Sequence, residues 1–316
     1  MSQLLLDNKK YTGDFLISFV IPTYKNRIYL EKAIDSIINQ KNNCDLNYEI
    51  VVTSNFSDDN MIDLIEKYQH ASVEIRLFRN EINLGQVGNI NQGVMLSRGK
   101  YIAFLHDDDM ILPNYLETIS SYISGTNKFD CIIPSMYIMK NDYFIDLKHR
   151  LASCIFSLRF LYRRPLQRIR KEDHLLAYDN VYSAPTCGTI FLKEKLTSYG
   201  LFKDEHGAAW DYFNYRQFHN NYNIYLLHKY IGVRREYTGM SNETKVQKDF
   251  ELDRISMIEH EFANYKFIKA NHDTILNKQP YFKYLWFKFR TRIYFYLHNL
   301  DSKIGIPKRL YKIYSD

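Results

Sequence analysis

Three consecutive carboxylates, Asp107, Asp108 and Asp109, follow His106 directly after the apolar run Tyr101–Leu105. The run is short and β-rich, so it reads as a buried strand. Like charges stacked this closely raise one another's pKa unless a cation arrives. Hard oxygen ligands at a strand's carboxyl end suit Mg²⁺ or Mn²⁺, which keep waters and accept substrate phosphates. A helix start is the other reading, with Asp108 or Asp109 as N-cap and the helix from Leu112 onward. Two more polar clusters stand after apolar runs: Thr23-Tyr24-Lys25-Asn26 after Leu16–Pro22, and Ser54-Asn55 after Tyr48–Thr53.

The elements that must position these groups follow from periodicity. Ile28, Leu30, Ala33, Ile34, Ile37 and Ile38 recur at helical spacing through Gln40. The pattern predicts a helix from Asn60 to Tyr68, a strand over Val73–Phe78, and a helix opened by Asn83-Leu84-Gly85 that runs to Ser97. Strands alternating with helices over short connections predict a parallel, doubly wound sheet, because parallel strands need crossover helices. Ligands bind such sheets outside the carboxyl ends of the strands. Thr23, Ser54-Asn55 and Asp107-Asp108 all fall at those ends, so three polar clusters converge on one rim, and the metal reading gains over the helix cap. Pro22-Thr23-Tyr24 stands where a dinucleotide fold carries its glycines, and no Gly-x-x-x-x-Gly-Lys loop is present. Both observations count against NAD-binding and P-loop enzymes.

The ordered motifs resemble glycosyltransferase family 2, the inverting transferases with the GT-A nucleotide-sugar fold. Phe19–Asn26 resembles the opening strand and its turn, and Glu49–Val52 with Ser57 and Asp59-Asn60 resembles the second strand and acidic turn. Asn83-Leu84-Gly85 with Asn89, Asn91 and Gly93, and Arg98–Leu105 with the three acids, resemble the next two motifs. The resemblance covers residues 16–240. It implies an α/β GT-A (Rossmann-like), mostly parallel sheet flanked by helices, with a nucleotide-sugar half over 16–113 and an acceptor half over 114–240. It further implies that Asp108, with Asp107, binds Mn²⁺ or Mg²⁺, and that Pro22, Thr23, Tyr24, Asn26, Asn55, Asn83, Gly85, Asn89, Asp107 and Arg234 bind the nucleotide sugar. Asp211 is implied as the catalytic base, against its reading as N-cap of a helix over 212–219; Asp204 and Glu205 lie nearby. Cys187–Phe191 resembles the strand and glycine that floor the acceptor pocket, and Val233-Arg234-Arg235 with Ser241 resembles the closing Arg…Ser segment.

Two departures mark this chain. Ser54-Asn55-Phe56 replaces the usual Asp-Asp-Gly, so Asn55 is expected to accept the base N–H through its amide carbonyl, without charge assistance. His106 takes the place of an acid, and reads as a strand-end histidine held by backbone hydrogen bonds, with metal ligation as the alternative. A UDP-sugar is the favoured donor, with a thymidine or other nucleoside diphosphate left open by Asn55, and a glycan or lipid-linked molecule the acceptor, as in surface polysaccharide synthesis. A nucleotidyltransferase and a degenerate, non-catalytic sugar-nucleotide scaffold are the competing readings.

Composition is compatible with this. The 316 residues are 46% hydrophobic and 25% charged, ordinary for a globular protein. The four cysteines show no Cys-x-x-Cys pair, which argues against a zinc site or disulfide framework and for a reducing, cytoplasmic setting. Met1–Lys10 does not read as a signal peptide, and no run approaches the ~20 apolar residues of a spanning helix. The net charge of +6 is concentrated in two blocks. Residues 278–316 hold nine Lys/Arg against two Asp/Glu, a local +7, and residues 148–171 hold eight Lys/Arg and no acid. Residues 281–296 also carry nine aromatics. The basic insertion 148–171 and a helical, basic-aromatic extension over 241–316 are therefore expected to meet an anionic membrane surface peripherally, or to cap the core. Neither block resembles a nucleic-acid module.

Overall fold

The computed structural model describes residues 2–9, 13–41, 45–56, 61–124, 129–140, 143–144, 166–168, 187–205, 207 and 210–235. The β-branched runs form β2 (Ile17–Thr23), β3 (Tyr48–Ser54), β4 (Glu74–Asn80) and β5 (Tyr101–Phe104), buried almost throughout. They are linked by α1 (Arg27–Ile38), α2 (Ile62–Tyr68) and α3 (Gly85–Leu96), and lie parallel in the order β4-β3-β2-β5. Strands that are apolar on both sides need cover on both faces. Ile17, Phe19 and Ile21 of β2 pack with Leu30 and Ile34 of α1, while Val20 packs with Ile90 and Val94 of α3. The α3 backbone comes so close that a Cβ at Gly93 would stand 2.4 Å from Val20 Cγ1, which leaves room for glycine alone.

An edge strand not foreseen in the sequence, β1 (Ser2–Asp7), pairs antiparallel with β4. Asn8 fastens its end: Nδ2 donates to the Tyr68 and Val73 carbonyls, and Oδ1 accepts the Ile75 N–H at 2.7 Å.

The second half makes the sheet mixed rather than simply parallel. After the Cys187-Gly188 turn at the carboxyl end of β5, β10 (Ile190–Leu192) enters in the opposite direction and pairs antiparallel with both β5 and β7 (Cys131–Lys140). Next to β7 runs β11 (Ile224–Arg235), parallel to it. The short β6 (Met110–Ile111), β8 (Tyr143–Phe144) and β9 (Leu166–Arg168) complete the sheet, with β6 and β9 antiparallel to β11. Helices α4 (Tyr115–Ile123), α5 (Lys193–Tyr199) and α6 (Trp210–Asn221) belong to this half.

Two helices start elsewhere than the sequence pattern predicts. The helix after the acids starts at Tyr115 with Asn114 at its cap position, not near Leu112 with Asp108 or Asp109 as cap. The main chain of Met110–Leu112 is engaged by β11, with Leu112 N donating to the Ile231 carbonyl at 2.9 Å, so it cannot turn into a helix there. Asp211 lies inside the first turn of α6, which begins at Trp210, so it is not the N-cap of a helix over 212–219. The turn 57–60, the insertion 148–171 apart from Leu166–Arg168, Ser241 and the extension 241–316 lie outside the described residues. Among the described residues, no helix is long and apolar enough to cross a membrane.

Candidate active site

The three polar clusters expected on one rim are joined there by hydrogen bonds. Thr23, the last residue of β2, donates from Oγ1 to Asp107 Oδ2 at 2.7 Å. Its carbonyl accepts the Asn55 N–H at 2.9 Å and Asn89 Nδ2 at 3.3 Å. Asn26 and the Tyr24 main chain also hydrogen-bond Asp107. Burial pushes the Asp107 carboxyl up to about 6; the bonds from Thr23 and Asn26 pull it down and the Asp108 charge pushes it up. Pro22 pairs with Thr53 inside the sheet, and the Tyr24 ring is 45% exposed at the rim.

Asp109 turns away from the rim. It is buried, its Oδ1 accepts the Arg235 main-chain N–H at 2.9 Å, and the Cys187 thiol hydrogen-bonds it. Burial, helped by the Asp108 charge, pushes Asp109 up to about 8. Burial also holds His106 below its ordinary value, against the pull of Asp108 and with the push of Arg234. The Asp108 charge thus acts on His106, Asp107 and Asp109 alike, and the Arg234 guanidinium faces the same turn from β11. A divalent ion fits this donor set, because a hard cation offsets the like charges of neighbouring carboxylates. Among the described residues no three His, Cys, Asp or Glu side chains form a cage, and Mg²⁺ ordinarily takes one or two carboxylates plus phosphates.

Behind the rim lies an amide network. Asn80 Nδ2 donates to Asn55 Oδ1 at 3.0 Å and to Asn89 Oδ1 at 2.8 Å, and Ser2 Oγ of β1 donates to Asn80 Oδ1 at 2.8 Å. Asn55 Oδ1 also accepts the Leu84 N–H, and its Nδ2 donates to the Gly85 carbonyl. Both lone pairs of the Asn55 carbonyl are therefore engaged inside the protein. The 4%-exposed side chain holds the loop that opens α3, while Asn83 Oδ1 accepts the Gly85 N–H and Gly85 takes φ +71°.

The second half of the chain meets the acid turn through Gly188, whose N–H donates to the Phe104 carbonyl and whose carbonyl accepts the Tyr115 hydroxyl at 2.8 Å. Thr189 returns a carbonyl to the Phe104 N–H, and its side chain acts on the buried Tyr215 hydroxyl of α6. Asp211 stands one turn before Tyr215, on the same helix face, and its charge acts on that hydroxyl. Asn91 and Asn214 clamp the intervening loop. Asn91 exchanges two hydrogen bonds with the Phe202 main chain, and Asn214 does the same with Lys203. Asn80, Tyr115 and Asn214 were not singled out from the sequence, because their partners lie on other segments of the chain.

The sequence profile of glycosyl transferase family 2 matches residues 18–197, more than half of the chain. The chain belongs to glycosyl transferase family 2. The match spans the rim, the acid turn and β10 of this family member. A Campylobacter jejuni relative, GalNAc(5)-diNAcBac-PP-undecaprenol beta-1,3-glucosyltransferase, is 34% identical over 104 residues, 33% of each chain. The matches cover 32% to 42% of the length of the first curated relatives. Among solved structures, S. aureus TarS 1-349 in complex with UDP-GlcNAc superposes with a TM-score of 0.55 at 17% identity, over 76% of this chain and 66% of that one. The Pyrobaculum calidifontis mannosyltransferase PcManGT, in complex with GDP-Man and Mn²⁺, gives 0.53 at 14% identity, over 79% and 65%. These likenesses show the GT-A fold.

Proposed function

We propose that the chain is a metal-dependent, inverting glycosyltransferase that moves a sugar from a nucleoside-diphosphate sugar to a hydroxyl of a glycan or lipid-linked acceptor. The observation that carries this reading is the Thr23–Asp107 bond, which ties the nucleotide end of β2 to the acid turn after β5. Asp108, with Asp107, would hold Mn²⁺ or Mg²⁺, which supplies neutralising charge for the leaving diphosphate. The Arg234 guanidinium meets the diphosphate oxygens. Pro22, Thr23, Tyr24 and Asn26 present the nucleoside edge of the site, and Asn55, Asn83, Gly85 and Asn89 shape it through the loop before α3. Asp211 takes the proton of the acceptor hydroxyl as that oxygen bonds to the anomeric carbon and the carbon–diphosphate bond breaks on the opposite face. His106, held below its ordinary pKa, stays neutral and adds no charge to the turn.

The bound UDP-GlcNAc and GDP-Man of the structural neighbours, and the undecaprenol-linked acceptor in the Campylobacter relative's name, support the substrate classes. A UDP-sugar is the favoured donor, and the basic blocks are assigned to an anionic membrane surface on the cytoplasmic side. Mn²⁺-dependent hydrolysis across a panel of UDP-, GDP- and TDP-sugars tests the proposal. Turnover of one donor that disappears with chelator supports it; no turnover with any donor, or full activity of Asp108→Asn, sinks it.

A further inference from the structure

We infer that Asp109 is a positioning residue that holds Arg234 against the acid turn, and that this link sets the affinity of the site for the donor's diphosphate. The second half of this rests on the donor-site reading above; the first half rests on geometry. The bond from the Arg235 N–H to Asp109 Oδ1 spans 126 residues of sequence and fixes the peptide unit that follows Arg234. Met110 then pairs with Val233, and Gly232 lies so tightly that a Cβ there would stand 2.2 Å from Met136 Cε. The Arg235 side chain is anchored inward, its guanidinium 4.9 Å from the Tyr29 ring centroid and against the sulfurs of Met139 and Met110 at 3.5 and 3.6 Å. Successive strand residues point to opposite faces, so an inward Arg235 turns Arg234 the other way. There its charge acts on His106, Asp109 and Cys187.

Two segments that meet only in the folded sheet thus build one half of an anion clamp, and a single buried carboxylate sets the spacing between them. Guanidinium–phosphate bonding is directional, so a shift of Arg234 is felt as lost affinity. The acids supply the other half through their cation.

Calorimetric titration of the full chain with UDP and with GDP in Mn²⁺ tests the link, alongside donor-hydrolysis kinetics. Asp109→Asn keeps an acceptor oxygen for the Arg235 N–H and is expected to bind as wild type does. Asp109→Glu keeps the carboxyl group but misplaces the oxygen, and Asp109→Ala removes it. Each is expected to weaken binding about tenfold or more, the scale of one lost bond to a charged group, with KM for the donor rising more than kcat falls. In an Arg234→Ala background the same substitutions are expected to cost little further. Normal affinity in Asp109→Glu with loss in Asp109→Asn, or losses that add to that of Arg234→Ala, would overturn the inference. Should Asp109→Ala not fold, the Asn and Glu variants carry the comparison. A wild-type chain that binds neither nucleotide would sink the donor-site reading. Hydrogen exchange at the Arg235 amide, slow in wild type and Asp109→Asn and fast in Asp109→Glu, then reads the link by itself; equal exchange in all three overturns it.

Discussion

The two ends of strands β2 to β5 hold buried polar groups in opposite states of charge balance. At the amino end Glu49 is fully buried, and one of its oxygens takes Ser18 Oγ at 2.6 Å and the Arg98 N–H at 2.7 Å. The other takes the guanidinium groups of Arg76 and Arg98 at 2.8 Å each, and Arg98 also pairs with Glu74. Every carboxylate there has a guanidinium partner. At the carboxyl end three neighbouring acids share hydroxyl, thiol and main-chain donors, and the Arg234 charge acts on Asp109 among them. One end closes its charge balance internally and so stabilises the fold. The other leaves negative charge that an incoming cation would neutralise, and the proposed chemistry lies at that end.

Substitutions at each end sharpen the contrast. Glu49→Gln takes the carboxylate from the buried Arg76 guanidinium and leaves Arg98 with Glu74 alone, and is expected to lower stability by about 3–5 kcal/mol in denaturant unfolding, with turnover per folded molecule unchanged. A large fall in turnover would break the division of labour. Asp108→Asn should do the reverse, cutting Mn²⁺-dependent turnover about a hundredfold or more while metal-free melting holds steady or rises. Melting that falls without metal would show that Asp108 is structural. Asn80→Ala removes the donor shared by Asn55 and Asn89. A loss of about 1–3 kcal/mol is expected, with a raised KM for the donor as the loop before α3 loosens. Ser2→Ala deletes the outermost bond of the same network and should cost about 0.5–1.5 kcal/mol with kinetic constants unchanged.

The first half of the fold was legible because β2, β3 and β5 are largely apolar on both faces, β4 alternates, and their helices carry clean periodicity. β1 was not, because Leu4-Leu5-Leu6 is too short to declare itself, and pairing with β4 is what makes it a strand. The convergence of Thr23, Asn55 and Asp107 could be read from topology alone. The partners of Asn55 and Asp109 could not: Asn55 looked like a base reader until Asn80 and Leu84 filled its carbonyl, and Asp109 looked like a helix cap although its partner lies in β11. Local spacing reports which groups reach a rim. Which of them faces outward is settled by contacts between segments far apart in sequence.

The Glu49 cluster also acts on alignment. A one-residue slip of β3 against β2 would turn Glu49 toward α1 and leave Arg76 and Arg98 without it, so only one pairing of these strands is compatible with the cluster. The same slip would carry Asn55 one step, about 3.3 Å, away from the Thr23 carbonyl it now meets. A group of ions roughly 20 Å down the strand therefore gauges the height at which Thr23, Asn55 and Asp107 come level.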